Sequence, residues 1–151
     1  MRLLVALMFG AIAAFAGGCG DDDSTETTTI SVVERAETDV LQHIGPAREK
    51  DSTGDVLAFA NDLYDENNES KVGSDNGFCI RTVPGAAFEC VWTARLDGGQ
   101  ITVQGPFLDA GDSELAITGG TGDYENASGT MSLHARNAEG TEYDFTYEVV
   151  K

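Results

Sequence analysis

The sequence predicts an all-β fold in which eight short strands close into an antiparallel β-barrel. Three observations point to it: apolar and polar residues alternate in short runs, glycine-rich turns separate the runs, and no long run has helical periodicity. Alternation with a period of two is typical of strands with one buried face. A barrel of this size leaves an interior just wide enough for side chains or one small ligand.

The alternation is clearest near the end of the chain, where every second residue from Tyr143 to Val149 is apolar or aromatic. Seven earlier runs also read as strands: 30–36, 56–60, 78–83, 88–96, 101–103, 115–117 and 131–135. The turn signals between the later runs lie at 84–85, 97–99, 119–122, 126–129 and 137–140. Their Gly and Asn residues supply the positive-φ positions that hairpins need.

Residues 1–18 predict an export signal that is not part of the fold. Arg2 precedes an apolar run at 3–16, which is shorter than the about 20 apolar residues of a membrane span. Small residues then lead directly to Cys19, a pattern typical of bacterial lipoproteins. We therefore expect a lipid on the Cys19 thiol; an ordinary secretory signal with an incidental cysteine is the alternative.

Residues 19–29 are expected to form a disordered tether, because they are polar, acidic and free of large apolar side chains. The barrel domain is predicted over 30–151. The protein would then be exported to the bacterial cell envelope and held at the membrane by its lipid anchor.

Composition and motifs exclude several classes of function. The formal net charge of −17 disfavours nucleic acid and anionic lipid surfaces as partners. His43 and His134 lack metal-ligand spacing, and the Gly-rich 119–122 segment lacks the Lys and strand-to-helix context of a phosphate loop. We predict no metal and no cofactor.

The chain has three cysteines, so lipidation of Cys19 leaves Cys79 and Cys90 as one pair. These two are symmetric about the 84–85 turn, and a hairpin centred there places them opposite each other. An oxidising location outside the cytoplasm favours a disulfide between them. Both cysteines would face the barrel interior.

Five segments carry a family resemblance: GDVLAFANDLY at 54–64, GFC at 77–79, FE at 88–89, QITVQGPFL at 100–108 and LAITGGTG at 115–122. In them the chain resembles the allene oxide cyclase barrel family, which is related in fold to dirigent proteins. The resemblance covers most of the chain after the tether. It implies an eight-stranded antiparallel barrel with an apolar cavity, in agreement with the periodicity.

The plant enzymes of that family cyclise a fatty-acid allene oxide in a hydrophobic cavity. They use an ordered water held by polar groups that include an Asn, and a buried carboxylate at one end. The resemblance places Phe59, Asn61 and Cys79 at matching cavity positions. The plant members also form trimers, so a homo-oligomer is one of the partner hypotheses.

Two family positions are not matched. Counted back at constant spacing from Asn61, the carboxylate position is Ser31 and a neighbouring Asn position is Val33. Glu34 lies nearby, but a shift of odd length places a strand residue on the other face. The position of a cavity Tyr is Phe107. The catalytic residues are therefore left unassigned.

The sequence predicts a barrel that binds a small apolar ligand, with or without cyclase-, isomerase- or dirigent-like chemistry. The pocket candidates are Phe59, Asn61, Cys79, Phe88, Trp92 and Phe107. Packed core is the competing interpretation of the aromatic residues, and a turn cap that of Asn61. The alternative function is a filled barrel that acts as a surface interaction module. Arg81 shares parity with Cys79, and a position at the barrel mouth with its head group in solvent is favoured.

Overall fold

The computed structural model describes residues 26–46 and 51–151, and within them every regular element is a strand. The strands are β1 (Thr27–Arg35), β2 (Val40–Gln42), β3 (Val56–Phe59), β4 (Asp62–Tyr64), β5 (Lys71–Val83), β6 (Ala87–Leu96), β7 (Gly99–Leu108), β8 (Ser113–Gly122), β9 (Ser128–Ala135) and β10 (Glu142–Val150). Within the described residues, no helix is long and apolar enough to cross a membrane.

These strands close into one antiparallel barrel. The sheet order is β2-β3-β5-β4-β1-β10-β9-β8-β7-β6, and β5 pairs with β6 to complete the ring. β1 pairs with β4 and β2 pairs with β3, so β1 with β2 and β3 with β4 each act as one interrupted strand. With the six unbroken strands they make the predicted eight-stranded antiparallel barrel, which is confirmed.

The barrel begins earlier than the sequence predicted. Thr27–Thr29 belong to β1 and pair with 148–150 of β10, although the tether was predicted to extend to residue 29. Three consecutive β-branched threonines favour an extended backbone, and the last strand offers them a partner. The predicted export signal, the lipidated Cys19 and the tether up to residue 25 lie outside the described residues.

Side chains fill one half of the interior. Buried apolar residues there alternate with less buried neighbours along their strands, as predicted; they include Leu63, Ile101, Val103, Ile117, Met131, Tyr147 and Val149. We call the opposite end, where the turns at 84–86, 109–112 and 136–141 lie, the open end. The interrupted strands break at 36–39 and at 60–61, and these two breaks position the polar part of the site.

The predicted disulfide is present. Cys79 lies directly opposite Cys90 in the β5–β6 ladder, and the two are bonded. Each is 2% exposed, so the bond lies inside the barrel. The hairpin turns at Pro84 and Gly85, where Gly85 has a φ of 69° that a residue with a side chain would adopt only with strain.

Candidate functional site

A cavity of about 80 Å³ occupies the interior toward the open end and communicates with solvent. For comparison, an apolar cavity of about 150 Å³ holds one benzene molecule. The cavity therefore suits a small group, with any larger remainder of a ligand extending through the opening. Its walls are mainly aromatic and aliphatic: Leu57, Phe59, Trp92, Phe107, Leu133, Tyr143 and Phe145, together with the Cys79–Cys90 disulfide.

The aromatic walls are held by contacts between rings. The Trp92 ring packs edge-on against Phe59, with centroids 6.0 Å apart, and lies 5.6 Å from the Phe145 ring. Phe107 makes a T-shaped contact with Tyr143 at 5.9 Å. Such contacts stabilise each pair beyond simple burial and fix the orientation of the rings. The cavity therefore has a largely preformed apolar surface.

Asn61 organises the polar side of the site from the break between β3 and β4. Its amide Nδ2 donates to Glu34 Oε1 at 2.9 Å and to Asp39 Oδ1 at 2.8 Å. Its Oδ1 accepts hydrogen bonds from the backbone N–H and the hydroxyl of Thr38, at 3.0 and 2.9 Å. Its backbone N–H donates to the carbonyl of Asp75. Both the Nδ2 and the Oδ1 of the side-chain amide make two hydrogen bonds within the protein. Asn61 therefore positions its neighbours and does not line the cavity.

Three carboxyl groups surround Asn61, and we call them the carboxyl cluster: Glu34, Asp39 and Asp75. Glu34 lines the cavity although it is only 5% exposed, and Asp39 lines it from the exposed rim. Asp75 is 1% exposed and lies behind Glu34. Burial, followed by the charge of Asp75, raises the pKa of Glu34 well above its usual range. Burial raises the pKa of Asp75 to about 7.

Glu34 is the cavity carboxyl that spacing from Asn61 did not find. Ser31, the position reached by constant spacing, is exposed, whereas Glu34 points inward opposite Leu63 of β4. Ser31 and Glu34 are three residues apart on β1, which is an odd number. Because side chains alternate along a strand, an odd offset exchanges the two faces.

The structure brings together four of the predicted pocket residues. Phe59, Cys79, Trp92 and Phe107 line the cavity. Phe88 is buried but lies beside the cavity, where it stacks on Phe107 with centroids 6.2 Å apart. The Phe88 contact reflects core packing, which was the competing interpretation of the aromatic residues.

Arg81 does not reach solvent, so the favoured interpretation of this residue was wrong. It is 7% exposed, and its guanidinium lies 3.5 Å above the Phe88 ring. Its Nη1 donates to Asp109 Oδ1 at 2.6 Å, and its Nε lies 2.8 Å from Asp51 Oδ1. Two acidic partners offset the cost of burying this cation. Arg81 therefore ties two loops together at the open end.

A second hydrogen-bond network, centred on Asp55, holds the segment that follows β2. The buried Asp55 carboxylate accepts from the backbone N–H groups of Ile44 and Ser52, from the Ser52 hydroxyl, and from His43 Nδ1 at 2.7 Å. Burial acts to raise the pKa of Asp55, but these hydrogen bonds outweigh it and hold the pKa well below its usual range. The described residues contain no cluster of His, Cys, Asp and Glu fitted to a metal ion.

Sequence reasoning missed Asp75 because it began the corresponding strand at residue 78. β5 begins at Lys71, and Asp75 shares the inward parity of Cys79. The available signal was a charged residue four positions before an inward-facing cysteine, a spacing that places both side chains on the same face of the strand. Tyr143 was recognised as a strand residue, but its place on the cavity wall follows from the pairing of β10 with β9.

Comparison with known proteins places this barrel in a family. A family model described as allene oxide cyclase matches residues 24–137. Similar solved structures include a pyocyanin demethylase, at 24% identity and a TM-score of 0.67 over 78% of this chain and 98% of the other. A pterocarpan synthase dirigent protein has 17% identity and a TM-score of 0.67 over 83% and 94%. A Diels–Alderase from Streptomyces koyangensis has 10% identity and a TM-score of 0.62 over 85% and 69%.

At these identities the structural likeness shows the fold alone. The family match, in contrast, spans most of the chain and includes the residues that form the cavity on β3, β5, β6 and β7. The chain belongs to the allene oxide cyclase family.

Proposed function

We propose that this protein binds a small, largely apolar ligand inside the barrel and promotes a cyclase- or isomerase-like rearrangement of it. The observation that carries the proposal is one buried carboxyl, Glu34, facing a cavity whose other walls are mainly aromatic and aliphatic. A site of this kind is the expected form of a small-molecule pocket, in which few polar groups orient an apolar ligand.

The geometry supports catalysis by confinement. A rigid cavity holds a flexible, reactive ligand in one conformation and excludes water, which favours an intramolecular step. The faces of Trp92 and Phe59 can stabilise positive charge that develops on the ligand. Similar barrels named as a dirigent pterocarpan synthase and as Diels–Alderases support the same class of activity by analogy of fold.

The proposed ligand site is tested with the single tryptophan of the chain, Trp92, as the reporter. Cyclopentanone, which is small and neutral, should change Trp92 fluorescence in a saturable manner. Leu57→Phe adds three carbons to the cavity wall and should weaken binding at least about tenfold, because it removes ligand volume. Ala58→Leu adds three carbons at the next, exposed residue and should leave binding unchanged.

Equal binding by both variants would contradict a site in this cavity. An absence of saturable binding in the unmodified protein would favour the interaction module, since the barrel also exposes Phe78 and Ile80 on its outer face.

We propose further that the protein acts in the bacterial cell envelope as a lipid-anchored domain. The apolar run at 3–16 and the small residues before Cys19 support this placement. Cys19→Ser should move the protein from the membrane fraction to the soluble fraction after expression in a bacterial host. An unchanged distribution between the two fractions would contradict the anchor.

A further inference from the structure

Glu34 and Asp75 form a carboxyl pair in contact with Asn61. Asn61 donates from Nδ2 to Glu34 Oε1 at 2.9 Å and from its backbone N–H to Asp75 Oδ1 at 3.3 Å. The two carboxyl groups lie close enough to each other that each affects the pKa of the other. An ionised carboxylate can only accept a hydrogen bond, so two neighbouring carboxyl groups can bond to each other only when one of them holds a proton.

Within the described ranges, no positively charged group faces this pair. Asp75 is 1% exposed, and its Oδ2 has no hydrogen-bond donor among the described residues. The titratable groups that face the pair are all acidic or phenolic: Asp39 from the break after β1, and Tyr143 and Tyr147 from β10. Two ionised carboxylates, both buried against Asn61 and without a cation, would be strongly destabilising.

The nearest basic residue along the chain does not compensate the pair. Arg35 follows Glu34 in β1 and therefore projects to the other face of the strand. Its guanidinium is occupied there by the side chain and carbonyl of Asn68, at 2.9 and 2.8 Å, and it stacks over the Tyr64 ring.

We propose that Glu34 and Asp75 share one proton at neutral pH, and that Glu34 presents it to the cavity. Glu34 lines the cavity and would contact the ligand, whereas Asp75 lies behind it and acts as a positioning residue. The raised pKa values of both groups agree with this arrangement.

The shared proton specifies a class of ligand, and this part rests on the proposed function. The groups on the cavity wall that can form hydrogen bonds to a ligand include Glu34, Asp39 and Tyr143, and no Lys or Arg of the described residues lines the cavity. A protonated Glu34 donates to a neutral acceptor such as a carbonyl oxygen. An anionic ligand would meet the charge of Asp39 without a compensating cation. The barrel therefore selects a neutral molecule that carries an accepting oxygen.

The proton itself is tested without any ligand, by carbon-13 NMR of the Asp and Glu carboxyl carbons in the full-length protein in detergent. Glu34 and Asp75 should titrate together in two coupled steps, with one step near or above neutral pH. Asp75→Asn should lower the titration midpoint of Glu34 by at least about one pH unit, because it removes a neighbouring negative charge. Asp112→Asn, on an exposed loop, is the matched control and should leave Glu34 unchanged.

Independent titration of both groups at ordinary carboxyl values, around pH 4, would overturn the shared proton. Should Asp75→Asn fail to fold, Glu34→Gln provides the reciprocal measurement, in which the midpoint of Asp75 should fall.

The ligand class is tested by Trp92 fluorescence with three probes of similar size: cyclopentanone, methylenecyclopentane and cyclopentanecarboxylate. At pH 6 the ketone should bind at least about fivefold more tightly than the hydrocarbon of the same shape, and the carboxylate should bind most weakly. The advantage of the ketone should decrease as the shared proton is lost at alkaline pH. Equal binding of ketone and hydrocarbon, or tighter binding of the carboxylate, would overturn the ligand class. Failure of all three probes to bind would refute the ligand site. The NMR titration would still show whether Glu34 and Asp75 share a proton.

Discussion

Replacing Asn61 with alanine should lower the free energy of unfolding by about 3 to 5 kcal/mol. The substitution removes two hydrogen bonds donated to Glu34 and Asp39 and two accepted from Thr38. Asn61 is 1% exposed, so water cannot replace these bonds without entering the barrel. Urea unfolding, followed by circular dichroism at pH 7, measures the change.

Asn137→Ala is the matched control. Asn137 makes two side-chain hydrogen bonds to Thr141 within the exposed turn before β10. Because water can satisfy the groups left behind, its loss should cost less than about 1 kcal/mol. If Asn61→Ala cost no more than Asn137→Ala, Asn61 would not organise the carboxyl cluster.

The barrel should be more stable at pH 5 than at pH 8. Asp75 has its pKa raised from 3.8 to about 7 on folding, so the folded state binds more protons than the unfolded state between these values. The free energy of unfolding then falls as pH rises through this window, and the raised pKa of Glu34 extends the loss to higher pH. The expected difference is on the order of 3 kcal/mol.

Thermal unfolding at several pH values between 5 and 8 measures this dependence. The Glu34→Gln and Asp75→Asn double variant should remove most of it and should be more stable than the unmodified protein at pH 8, because the buried charge is gone. The exposed pair Glu114→Gln and Asp97→Asn changes net charge equally and should retain the dependence. A stability that rises from pH 5 to pH 8 would contradict the raised pKa values.

Acid below about pH 4 acts through a different set of groups. Hydrogen bonds lower the pKa values of Asp55 and Asp65, so their stabilising contribution is present above the unfolded pKa and is lost as pH falls further. The stability measurement is therefore confined to the range above pH 5, where these two carboxylates remain ionised in both states.

The sequence by itself determined the barrel and its disulfide. A period of two marks each strand that has one buried face, so 143–149 and 88–96 could be recognised without any partner strand. Cys79 and Cys90 are placed opposite each other by a short hairpin, whose register depends only on the turn between them. The cavity residues Phe59, Trp92 and Phe107 follow from the same alternation and from the family resemblance.

Only the tertiary structure decided which acidic residues meet inside the barrel. Glu34, Asp39 and Asp75 come from β1, from the break after it and from β5, and they converge because the breaks at 36–39 and 60–61 set the offset between neighbouring strands. An odd change in such an offset exchanges the inner and outer faces, so counting along the chain placed Ser31 where Glu34 lies. Register across a broken strand depends on long-range pairing, and that pairing forms only when the barrel closes.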